Sequence, residues 1–179
     1  MGVVVEEVTG HRDTKERLEG AYGDEQVVVF GLGDELFGID IARVQEIIRW
    51  QKVTKVPKAP HFVEGIINLR GRVIPVVDLR RCFGLEVVTQ GKETRIVVVE
   101  IGGQIVGLIV DGVSEVLQVP GSVIEPPSPV VTTTESAYLR GIARLQEKLI
   151  ALLDLEKVLS LHSITATEDI EQAASTSLP

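Results

Sequence analysis

Cysteine, aromatic residues and long apolar runs are all scarce in this 179-residue chain. The single cysteine, Cys82, excludes an internal disulfide and fits a reducing compartment. Seven aromatics, scattered along the chain, are too few for the stacking platform of a single-strand nucleic-acid binder. The longest apolar stretches, such as Ile96 to Val99 and Ile105 to Val110, fall far short of the roughly 18 residues that a membrane-spanning helix needs. Glu6 and Glu7 stand where an export signal would carry bases, so none is expected. Basic charge is also short. The net charge is -8, and it sits mostly at the ends. Residues 1–25 carry seven acids against three bases, residues 163–179 three acids and no base, and the remaining 26–162 only one excess acid. A nearly neutral body argues further against nucleic acid.

Catalytic and metal-binding patterns are missing as well. His11, His61 and His162 are far apart in sequence, and none has a second metal ligand nearby. Gly31-Leu-Gly33 lacks the third glycine and the strand-to-helix setting of a dinucleotide loop, and there is no Gly-x-Ser-x-Gly elbow. Cys82 falls in the apolar register of a short helix, which favours core over nucleophile. Neither cofactor nor metal is expected, and the chain is read as a non-enzyme.

What is present is a 44% hydrophobic chain rich in short Val/Ile runs broken by Gly, Pro and Asp. This is a strand pattern. Strands are expected at 26–30, 35–39, 65–69, 73–77, 95–101, 104–110, 114–119, 138–145 and 148–153. Gly31-Leu-Gly33-Asp34, Arg70-Gly71 and Gly102-Gly103 supply the hairpin turns, because glycine reaches positive φ without strain. Many short strands with tight turns predict an all-β chain, mainly β with short helices.

Helices are expected only at junctions where a strand ends in Asp. Asp40, Asp78 and Asp154 are each followed by an apolar residue at +1 and +4, and each carboxylate is placed to cap a first helical turn. Asp111 keeps the acid but continues as a strand. The spacing from Asp78 to Asp154 is twice that from Asp40 to Asp78, which hints at internal duplication, although strand-Asp-helix is a common junction. Ile41, Val44 and Ile47 have helical spacing and either line a groove or close a barrel end. Trp50, Lys52, Lys55 and Lys58 form an exposed basic loop after that first helix. In the hairpin, Ile66, Leu69, Val73 and Val77 are expected in the core. Pro75 lacks an N–H, so its strand is expected at an edge or with a bulge. The sequence divides into an acidic extension at 1–24, a folded domain at 25–162 and a disordered acidic tail at 163–179.

The stretch His61–Leu85, HFVEGIINLRGRVIPVVDLRRCFGL, resembles the signature of CheW-type chemotaxis coupling proteins. Similar segments follow in the family's order: Phe37–Asp40, Val44–Ile47, Val56-Pro57, Leu108–Val113 and Leu152–Lys157, so that the resemblance runs from about Gln26 to Leu161. It implies two small five-stranded SH3-like barrels sharing a hydrophobic core, and no enzymatic activity. It also implies a cytoplasmic adaptor that couples chemoreceptor tips to the regulatory domain of the histidine kinase CheA, at receptor arrays on the inner face of the membrane, without inserting into it. Assembly into rings or arrays is implied by family alone. By motif position the receptor-binding residues are Ile41, Val44, Glu46, Gly65, Arg70, Val110 and Val113, with Glu46 and Arg70 similar to a family ion pair at the groove edge. No residue-level signal marks the kinase-binding face, for which the segment from Leu85 to Arg95 is a weak candidate. The competing readings are a CheW-like adaptor of a non-chemotactic array and, further off, a small-barrel nucleic-acid binder.

Overall fold

A computed structural model describes residues 22–127 and 137–161. The acidic tail expected at 163–179 and most of the N-terminal extension lie outside these residues. The last part of that extension belongs to the fold. Tyr22 packs against buried residues of the first barrel, and its hydroxyl donates to the Arg140 carbonyl (3.0 Å).

Among the described residues, eleven strands form two sheets. They are β1 (Glu25–Leu32), β2 (Glu35–Asp40), β3 (Val44–Arg49), β4 (Val63–Leu69), β5 (Arg72–Asp78), β6 (Arg95–Ile101), β7 (Gln104–Val110), β8 (Gly112–Val119), β9 (Ile124–Glu125), β10 (Leu139–Leu145) and β11 (Lys148–Leu153). The first sheet runs β8-β1-β2-β11-β10-β9 and the second β3-β6-β7-β5-β4. The second barrel has the expected five strands, whereas the two-residue β9 gives the first a sixth. Two short helices, α1 (Leu79–Cys82) and α2 (Leu155–Leu161), follow β5 and β11.

The duplication is real, but its register is not the one that the Asp spacing suggests. Strand for strand, β8-β1-β2-β11-β10 repeats β3-β6-β7-β5-β4, each with one parallel pair in the same place, β2 with β11 and β5 with β7. The chain opens in the first barrel, crosses to the second at Asp40–Arg43 and returns at Asp111. Asp78 therefore matches Asp154: each ends a strand, leads into a helix and donates its backbone N–H to the residue before the hairpin, Phe62 or Tyr138 (2.8 Å each). Asp40 matches Asp111, as the two crossovers. The even 38-residue step from Asp40 to Asp78 is coincidental.

Among the described residues, three apolar clusters hold the fold together. One lies in each barrel, around Val27, Ile150 and Leu152 or around Val76, Ile96 and Val98. The largest is shared by both barrels. It joins Phe30, Phe37 and Ile39 to Val77, Val97 and Leu108, and it takes in Leu79 and Cys82 of α1 and Leu155 and Val158 of α2. The aromatics that are scattered in sequence gather here, with Phe30, Phe37, Phe83 and Tyr138 in successive ring contacts of 5.9, 5.5 and 5.2 Å. Each such buried side chain contributes roughly 1.5–3 kcal/mol. Burial, with Asp78 nearby, pushes the Cys82 thiol up to about 12, so it is a protonated core residue.

Two expectations about the His61–Leu85 hairpin are corrected. Val73 is exposed, because it lies on the outer face next to the turn. Pro75 lies on an interior strand, between β7 and β4, and the bulge sits in the partner β4 at Glu64. Pairing of β5 with β7 starts at Val76, so that ladder asks nothing of the missing N–H.

Candidate functional site

The segment read as a first helix is a single 3₁₀ turn, Ile41–Arg43, capped by the Asp40 carboxylate (2.9 Å to the Ala42 N–H), and it leads directly into strand β3. The three-residue spacing of Val44 and Ile47 comes from a β-bulge. Val44 pairs with Val99, Glu46 with Val98 and Ile47 with Val97, leaving Gln45 as the extra residue. Two residues three apart thereby share one face of a strand. That face belongs to the shared core, because Val97 and Val99 are both in it. Val44 is half-buried against the core, while Ile41 and Ile47 are each 38% exposed.

Strand β8 repeats the device. Phe30 pairs with Val113, Val29 with Glu115 and Val28 with Val116, with the bulge at Ser114. Val113 and Val116 therefore share a face as Val44 and Ile47 do. Val113 packs on the shared core and Val116 is exposed. Both strands are sheet edges, so each presents an apolar rim beside unpaired backbone.

On the opposite face of β3 from the rim is the Arg70–Glu46 pair, with Nη2 to Oε2 at 2.8 Å. Its geometry follows from the turn. Arg70 and Gly71 both have positive φ (53° and 81°), and the Asn68 side-chain oxygen accepts from the Gly71 N–H (2.9 Å). These are the dihedral signs of a two-residue type I′ hairpin. They carry the Arg70 side chain, 79% exposed, over towards β3. Glu46 is mostly covered, and its Oε1 is buried with no donor on it. A shallow cavity of about 120 Å³ opens at this point, lined by Glu46, Arg70, Arg72, Leu69, Ile74 and Ile105 among others.

The structure thus brings Glu46 and Arg70 together, sets Val44 and Val113 at the edge of the shared core and leaves Ile41 exposed in the turn before β3. It does not bring Gly65 or Val110 to the surface. Val110 is fully buried in the shared core. Gly65 is buried beside the β4 bulge with φ 153°, and a Cβ there would lie 2.1 Å from the Thr54 carbonyl oxygen. Ile47 and Val116 carry a weak sequence signal as members of alternating strands, but only the bulges reveal their shared faces. The Arg80–Asp111 ion pair (Nη2 to Oδ2 at 2.5 Å) is invisible in sequence, since its members are 31 residues apart and on different elements.

Among the described residues there is no cluster of three or more potential metal ligands, and no helix is long and apolar enough to cross a membrane. Five of the seven aromatics are committed to the shared core, which removes them from any base-stacking surface.

Twin SH3-like barrels on one core, with apolar edge rims and a directional ion pair, define a scaffold or adaptor that works by presenting surfaces. Comparison with known proteins places the chain in one such group. The CheW-like domain matches residues 26–163, and the chain belongs to that family. It is similar to the chemotaxis protein CheW of Klebsiella aerogenes (35% identical, 89% of this chain and 96% of that protein). It is also similar to that of Treponema pallidum (36% identical, 80% and 88%). The crystal structure of the scaffolding protein TtCheW from Thermoanaerobacter tengcongensis superposes with a TM-score of 0.70 at 45% identity, covering 75% of this chain and 87% of that one.

Proposed function

We propose that this chain is a non-enzymatic signalling adaptor that couples transmembrane chemoreceptors to the regulatory domain of the histidine kinase CheA in bacterial chemotaxis, acting in the cytoplasm at receptor arrays. The observation that carries the reading is the β3 edge. Val44 and Ile47 form an apolar rim on one face of β3, Ile41 is exposed in the turn before it, and the Glu46–Arg70 pair stands on the opposite face of the same edge strand. A receptor tip is a helical hairpin, and an amphipathic helix docks by laying apolar anchors against such a rim with polar groups fixing its register. The receptor contacts are then Ile41, Val44, Glu46, Arg70 and Val113, while Gly65 and Val110 act by shaping the backbone beneath them. An exposed pair of this kind adds only about 0–1 kcal/mol to folding, so its value is directional.

Coexpression with a CheA-type kinase and a chemoreceptor tip is expected to yield a ternary complex. Arg70→Glu is expected to weaken tip binding at least tenfold while leaving the circular dichroism spectrum and Tm unchanged. Absence of binding to both partners would overturn the reading, and an unfolded Arg70→Glu protein would make Arg70 structural instead.

A further inference from the structure

The return crossover at Asp111 is held far more firmly than its counterpart at Asp40. The Asp111 carboxylate accepts from Arg80 Nε (2.7 Å), from Arg80 Nη2 (2.5 Å) and from the Gly33 backbone N–H (2.7 Å). The Asp111 backbone N–H donates to the Gly31 carbonyl (3.0 Å). Arg80 Nη1 is anchored in turn on the Glu86 carbonyl (2.8 Å). Arg80 starts from α1 of the second barrel, whereas Gly31 and Gly33 belong to the β1–β2 hairpin of the first. One guanidinium therefore braces the point where the chain passes between barrels. Only a planar fork spans both carboxylate oxygens and the carbonyl together. The pair is largely covered, with side-chain exposures of 15% for Arg80 and 30% for Asp111. At the other crossover, Arg43 meets Glu156 through one 3.2 Å contact between side chains that are 46% and 65% exposed.

The proposed receptor surface draws on both crossovers. Ile41 and Val44 follow Asp40, and Val113 follows Asp111. We infer that Arg80 is a positioning residue for receptor engagement: it touches no partner, and through Asp111 it fixes the backbone that carries Val113, leaving the Ile41 turn as the compliant wall. This rests on the receptor-facing reading above.

The test is a double-mutant cycle with titration against a receptor tip and, separately, against the CheA regulatory domain. Arg80→Met and Asp111→Asn are each expected to weaken tip binding about tenfold. The double variant should be no weaker than either single one, because the two act as a unit. Kinase-domain affinity should stay within twofold for Asp111→Asn, which leaves the Arg80 contact with the Glu86 carbonyl in place, and Arg80→Lys should recover little tip binding, since an ammonium cannot form the fork. In the free protein the amide resonances of Gly33, Gly112 and Val113 should shift in every variant. Tip affinity within twofold of wild type for Arg80→Met would overturn the inference, as would additive single effects or equal loss of both partners in Asp111→Asn. If the wild-type protein binds no tip, the receptor reading fails, and the resonances decide the brace alone. Unmoved Gly112 and Val113 signals in Arg80→Lys, the variant that best preserves packing, would then overturn it.

Discussion

The two barrels repeat one strand order, one pair of edge bulges and one pair of post-strand helices, yet they differ at equivalent positions. The second barrel turns its β4–β5 hairpin on Arg70-Gly71, and the first turns β10–β11 on Gln146-Glu147, two non-glycine residues at positive φ (49° and 65°). The hairpin base reaches the edge strand in both, through Arg70–Glu46 at 2.8 Å and Lys148–Glu115 at 3.2 Å. Only the carboxylate ends correspond: Glu46 and Glu115 each follow the bulge by one residue, whereas Arg70 stands in the turn and Lys148, like Arg72, is the first residue after it. The bases also differ chemically. A guanidinium on a glycine-relaxed turn gives directional contacts, whereas the Lys148 ammonium, on the strand next to a turn of two positive-φ residues, is a point charge. The scaffold occurs twice, and the two copies differ in the side chains they carry at its edge.

The largest test concerns the core that the copies share. Val77 and its counterpart Leu153 both lie in it, nearly or fully buried. A buried unpaired carboxylate costs several kcal/mol. Val77→Asp and Leu153→Asp are each expected to unfold the whole protein in one transition; a surviving, separately melting barrel would break the shared-core picture.

Next come the bulge glycines. A Cβ on Gly65 would lie 2.1 Å from the Thr54 carbonyl oxygen, whereas on Gly141 it would lie 2.9 Å from the Ile124 Cγ2 and 3.2 Å from the Glu125 carbonyl oxygen, a milder overlap. Gly65→Ala should therefore cost roughly 3 kcal/mol or more and Gly141→Ala about 1–2, both compared by denaturant midpoint. Equal costs would mean that the two bulges are packed alike.

The crossovers give a third contrast. Asp111→Asn should destabilise by roughly 1–3 kcal/mol, against less than about 0.5 for Arg43→Ala, whose partner is an exposed glutamate. The Arg80 hydrogen bonds, helped by the Gly33 N–H, hold the Asp111 carboxyl below its ordinary value of 3.8. A lowered folded-state value means that the contribution is present above about pH 3.8 and is lost as pH falls through the folded value. Acid unfolding curves of wild type and Asp111→Asn should therefore converge only below that point. Asp78 runs the other way: burial raises its carboxyl despite the hydrogen bond from the Arg80 amide, so it favours the fold less as pH rises.

The smallest effect is a gain. Replacing Gln146-Glu147 by Asn-Gly should stabilise the first barrel by about 1 kcal/mol, read as a higher Tm, because asparagine and glycine accept positive φ at little cost. No gain would mean that this turn is held by contacts beyond its own dihedrals.

Most of the strands were legible in the chain because alternation and turn residues are local. The hairpin from His61 to Leu85 was legible as a unit, and the Glu46–Arg70 pair followed from resemblance. Two kinds of feature were not. A bulge breaks the period of two, so Val44 and Ile47 imitate a helix in sequence while they lie on a strand. The Arg80–Asp111 brace joins residues from different barrels, and no local pattern encodes it.

By itself, the sequence determined most of the element types, β3 excepted, together with the turns, the capping aspartates and the family, since each depends on residues within a few positions of one another. Tertiary structure alone decided which aspartates correspond, which valines reach the surface and which arginine braces the crossover. Those outcomes depend on strand order and register, which bring distant segments together.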